Sequence, residues 1–200
     1  RVRVCVAAVR RVLRRAQYHA PARAKLRRSA QLVVRQAEGR LNQTLRLRWQ
    51  IASAQLAFVA GLAPLPADYL EMLNVWAAPA QPMRAGTLAD VAGLGSQWDA
   101  FAIDGSNVRI YGLDGVTRAC DYYAALPTLT AGPTASNWLL ERYPDVYLYA
   151  VALAAATHLR DAELVQATQP LLAAAMEAMT SDDERARWSQ AVVRPRMVTP

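Results

Sequence analysis

The chain is poor in the residues that metal sites and nucleophilic catalysis draw on. It has two histidines, His19 and His158, and two cysteines, Cys5 and Cys120, far apart in sequence. That spacing gives neither a disulfide framework nor a cysteine metal site, and it suits a reducing cytoplasm. No glycine-rich phosphate loop is present, and no Ser, His and Asp arrangement sits in a recognisable context. His158 reads as a packed or capping residue. Asp182-Asp183-Glu184 could pass for a metal site, but a helix start prefers such acids through its dipole. No catalytic residue, metal ligand or cofactor is therefore expected.

Long hydrophobic runs are also missing. The most apolar stretch, Val146 to Ala156, is eleven residues without a charge, against about 18 or more for a membrane span. No membrane contact is expected. A helix apolar on every face is instead one buried on all sides, and Ala150, Ala152, Ala154, Ala155 and Ala156 would let neighbouring backbones come close. A signal peptide is not expected either, because charge is scattered through the N-terminus and no apolar core region precedes a cleavage site. The chain begins with Arg1 and not Met, which leaves open a few residues upstream.

What is abundant is arginine, and it is unevenly placed. Residues 1 to 50 hold thirteen arginines and Lys25 against Glu38 alone, a net of +13, while residues 51 to 200 hold nine arginines against fifteen acids, a net of −6. Such asymmetry points to a nucleic acid or an acidic protein surface as partner, or to solvated helix faces. Only Tyr18 precedes Trp49, so the interleaved aromatics of a single-strand binder are lacking.

At 200 residues the chain is long enough for one domain with a real core. Periodicity predicts a short amphipathic helix over 4–16, a break around Pro21, and a longer helix over 29–47 with Leu32, Val33, Gln36, Ala37, Leu41, Thr44 and Leu45 on one face. Residues 51 to 126 change character: "AQLAFVA", "YLEMLNVWA", "AFAID", "NVRIYG" and "VTRACDYYAAL" read as strands. Asp104-Gly105-Ser106-Asn107 and Asp114-Gly115 are hairpin signals, and "TLADVAGLG" reads as a turn or two of helix. Trp76, Trp98, Tyr111, Tyr122 and Tyr123 fall on strands as core or interface. From Pro133 the helical period returns. Asn137 or Ser136 can cap "NWLLERY", and Pro144 suits the first turn of the next helix. Asp161 opens another helix, kinked at Pro170, and Ser181-Asp182-Asp183-Glu184 is a capping box for a short last helix through Trp188. "VVRPRMVTP" reads as a tail.

The expected fold is α+β: a bundle of N-terminal helices and a C-terminal helical hairpin (1–50 and 133–182), an inserted small antiparallel β region (51–132), and a short helix with an extended tail (183–200). Trp138, Leu139, Tyr143, Tyr147, Leu148 and Leu153 are the expected subunit core.

Several stretches, in order, resemble the head-to-tail adaptor (connector) proteins of tailed bacteriophages. "NWLLERYPDVYLYAVALAAATHLRD" (137–161) is similar to the family's C-terminal signature, and "AEGRLNQTLRLR" (37–48) to its basic helix. "LPADYLEM" (65–72) resembles its Leu-Pro-x-Asp-aromatic-Leu strand, "FAIDGSNVRIY" (101–111) its hairpin, and "DYYAALPTLT" (121–130) the strand leaving the β region. The likeness covers about 37 to 190; residues 1 to 34 carry more arginine than the pattern.

The resemblance implies a structural virion protein without catalysis, assembled in the host cytoplasm and placed at the portal vertex or neck. Its copies would form a ring, typically of twelve, beneath the portal protein. The ring would extend the tunnel for packaged double-stranded DNA and offer a platform to tail, stopper or nozzle proteins. Portal docking is expected of the C-terminal segment through Arg185, Arg187, Trp188, Arg194 and Arg196, since Trp and Arg are enriched at binding hot spots. The alternative is a basic nucleic-acid-binding module acting through the Arg-rich N-terminal segment.

Overall fold

The computed structural model describes residues 30–93, 100–129 and 136–188. The helix expected over 4–16, the break at Pro21, Trp98 and the tail from 189 lie outside these residues. The described chain divides into two units, one of residues up to Leu45 together with those from Pro127, the other of 46–126.

In the first unit, α1 (Ala30–Thr44) buries Val33, Ala37, Glu38 and Leu41, the i, i+4, i+5, i+8 pattern of one helix face. The face is rotated from the expected one: Leu32 is 51% exposed, and Gln36 is exposed too. Helix α3 (Trp138–Arg142) begins at Asn137, whose side-chain oxygen accepts from the Leu140 N–H at 2.9 Å. It runs almost directly into α4 (Pro144–Leu159), with Pro144 in the first turn where a missing N–H is harmless.

Helix α4 packs against α1, α3 and α5 (Ala162–Trp188). That answers why it is apolar all round. Its buried residues, including Val146, Tyr147, Val151 and four alanines from Ala152 to Ala156, fall on more than one face. It closes in a Schellman motif: Arg160, at φ 58°, donates to the Thr157 carbonyl, and Asp161 donates to that of Ala156 at 3.0 Å. Asp161 then caps α5 by accepting from the Leu164 N–H at 3.0 Å.

One expectation fails here. Helix α5 is one continuous element of 27 residues, with Pro170 inside it and no separate last helix after Ser181. Pro170 lies on the exposed side, where the carbonyl deprived of its partner can be hydrated, so the proline weakens the helix without ending it. Ser181 to Glu184, a good helix start in isolation, is simply mid-helix.

The second unit contains β1 (Ile51–Phe58), β2 (Leu62–Pro64), β3 (Tyr69–Ala78), β4 (Gln81–Pro82), β5 (Arg84–Ala85), α2 (Leu88–Gly93), β6 (Ala100–Asp104), β7 (Asn107–Arg109) and β8 (Val116–Ala124). They form two four-stranded sheets, ordered β1-β8-β3-β4 and β2-β7-β6-β5. This corrects the expected small antiparallel insertion. The fold is α+β, but the sheets are extensive, and β5 pairs with β6 in parallel. The unforeseen strands are two or three residues long and two of them hold a proline, too short to show a period of two.

Both sheets share one core, with Leu56, Phe58, Val75 and Cys120 from one meeting Val108 and Phe101 from the other. Strands β1 and β2 are joined by a two-residue turn, Ala60-Gly61, with both φ positive (51° and 76°) and reciprocal Val59–Leu62 backbone bonds, the geometry that matches strand twist. Asp104-Gly105-Ser106-Asn107 does join β6 to β7, with Gly105 at φ 60°. Asp114-Gly115 does not make a hairpin, because β7 and β8 belong to different sheets; there Asp114 accepts from the Ala60 N–H at 2.8 Å.

Candidate docking surface

The long helix α5 has one buried stripe, Thr168, Met179 and Asp183, and its opposite side carries Glu163, Ala167, Ala174, Glu177 and Ala178, all exposed. Its last turns hold the predicted docking residues. Arg187 Nε donates to Asp183 Oδ2 at 2.8 Å, and that carboxylate is almost wholly buried. Arg185 Nη2 donates to Ser181 Oγ at 2.9 Å. Both arginines also lie where the helix dipole favours positive charge. Trp188, beside them, is 73% exposed. Arg194 and Arg196 lie outside the described residues. The end of α5 is tied to the unit by the Tyr143 hydroxyl, which donates to Asp182 Oδ2 at 2.7 Å.

Of the residues expected in the subunit core, Leu139 and Tyr147 are buried, while Trp138, Tyr143, Leu148 and Leu153 are half-buried. The residue that sequence reasoning missed is Glu38. It is 3% exposed and accepts from the Tyr147 hydroxyl and the Leu129 N–H, each at 2.8 Å. The signal was its position between Ala37 and Leu41, as the one acid among fourteen cations.

The titratable groups of the β unit serve structure. The Tyr122 hydroxyl donates to Asp68 Oδ1 at 2.9 Å; burial, then Asp68, pushes its pKa up to about 12. Burial also raises the Cys120 thiol. The Asp90 carboxylate, which accepts from Thr87 Oγ1 and N, is held below its usual range by those bonds. Asp121 joins three strands by accepting from Ser53 Oγ and Trp76 Nε1. His158, in the last turn of α4, lines a polar cleft of about 470 Å³ with Gln36, Gly39, Arg40, Gln43 and Thr157. Among the described residues no three His, Cys, Asp or Glu side chains could together hold a metal ion, and no helix is long and apolar enough to cross a membrane.

The family model of the SU10 adaptor protein matches residues 5–196, and the chain belongs to that family. It is therefore a phage adaptor with a structural role, and the likeness carried by the ordered motifs of residues 37 to 190 holds. No curated protein matches the chain.

Proposed function

We propose that copies of this protein form a ring beneath the portal protein in the virion neck, assembled in the host cytoplasm. Twelve copies would extend the tunnel for packaged double-stranded DNA and seat the tail, stopper or nozzle proteins. The observation that carries the docking part of this reading is Trp188, large, apolar and 73% exposed, between Arg185 and Arg187 before it and Arg194 and Arg196 after it. An exposed Trp flanked by arginines fits an anchor that becomes buried in a partner.

Two variants test it, Trp188→Ala and deletion of 190–200, each mixed with purified portal rings. Trp188→Ala should weaken portal binding by about 2 kcal/mol, roughly thirtyfold, and the deletion should abolish co-sedimentation. Trp188→Ala should leave thermal stability within about 0.5 kcal/mol, as substitutions at exposed positions do, and if 190–200 is a docking tail its deletion should leave thermal stability intact as well. Normal joining of the truncated chain to portal rings would refute the docking assignment.

A further inference from the structure

The two outermost helices of the first unit carry faces that nothing in the described chain uses. Both α1 and α5 pack on α4, and each turns its other side outward. On α1 that side carries Leu32, 51% exposed, and Gly39, with Arg35 and Arg40 exposed beside them. A glycine inside a helix costs about 1 kcal/mol relative to alanine. Among the described residues nothing lies within 4 Å of where a Cβ on Gly39 would stand, so no contact with them explains the missing side chain. The face is cationic, because the single acid of α1, Glu38, is buried and engaged.

On α5 the outward side has the opposite character. Ala167, Ala174 and Ala178 repeat at helical spacing with Leu171, 49% exposed, at their border. Glu163 and Glu177 lie on the same side, and α5 has no basic residue before Arg185.

We infer that the outer face of α1 is the docking surface for the outer face of α5 from a second copy of this chain. The inference rests on the ring reading above and names the contact that closes the ring. Small residues on both sides, Gly39 against the alanine row, allow two helix backbones to cross closely. Arg40, next to Gly39, then comes within reach of Glu177, three residues from Ala174, and Leu32 and Leu171 leave water together. Charges placed this way fix partner and register more than they add affinity. The two faces differ, so each copy offers one and receives the other. Such a heterologous contact cannot close as a pair, and it propagates into a ring or a filament.

Cross-linking separates this contact from the ring itself. The double variant Gly39→Cys with Ala174→Cys, in a Cys5→Ser background, is assembled on portal rings and treated with a short bismaleimide. Both sites are open to solvent, so the fold tolerates the substitutions. The expected result is a covalent ladder reaching the full ring, with dimers only when the two single-cysteine variants are mixed. Arg40→Glu should lower ring yield, and adding Glu177→Arg should restore it. Rings seen by electron microscopy without a ladder would overturn this contact and leave the ring standing. No ring on the portal would overturn both.

Discussion

The Tyr147 hydroxyl donates to Glu38 Oε1 at 2.8 Å, joining α4 to α1 through a carboxylate that is 3% exposed. The same oxygen accepts from the Leu129 N–H at 2.8 Å. One acid thus holds two helices and the segment that follows β8. Glu38→Ala should strand both donors and cost about 2–3 kcal/mol, whereas Glu38→Gln keeps an acceptor oxygen there and should cost about 1 kcal/mol. Chemical denaturation of the two variants checks this; equal losses would mean that side-chain volume matters and the hydrogen bonds do not.

Gly61 sits at φ 76°, and an added Cβ would stand 2.5 Å from the Ile110 carbonyl oxygen. That oxygen is backbone and cannot swing aside. Gly61→Ala should therefore destabilise the β unit by about 2 kcal/mol or more, since both positive φ and steric overlap oppose it. A thermal midpoint within error of the parent chain would contradict the turn geometry.

Tyr122 should make the fold alkali-sensitive. Its pKa rises from 10.0 unfolded to about 12 folded. The unfolded chain therefore loses this proton first, and the stabilisation present below pH 10 should drain away between about pH 10 and 12. Tyr122→Phe should flatten stability over that window. Burial raises Tyr69 as well, so tyrosinate absorbance followed with pH should show the late-titrating amplitude reduced in the variant; an unchanged late amplitude would place the shift elsewhere.

The chain announced some elements and hid others for physical reasons. The burial of α4 was legible because a helix without a polar side needs neighbours all round, and α1, α3 and α5 supply them. Strands β3, β6 and β8 were legible from five or more patterned residues each. The two-residue turn at Ala60-Gly61 was not, because Ala at positive φ is uncommon and "VAGL" reads as a strand end. The continuity of α5 past Ser181 was obscured because Ser181-Asp182-Asp183-Glu184 is a good cap when nothing precedes it. The end of α4 at Arg160 was legible from the charge that follows it, although glycine is usual at such a left-handed cap. Glu38 was counted as charge, when its role is set by Tyr147, over a hundred residues away. The docking residues were named from residue type alone, which says nothing of exposure.

The central claim is that this adaptor forms the ring between portal and tail. Electron cryo-microscopy of the phage neck tests it most directly. The account predicts a ring of density directly beneath the portal, into which α1, α4 and α5 and the two-sheet unit fit, with the end of α5 at Trp188 against the portal. A neck in which that layer is built by another chain, or in which this fold is absent from the virion, would contradict it.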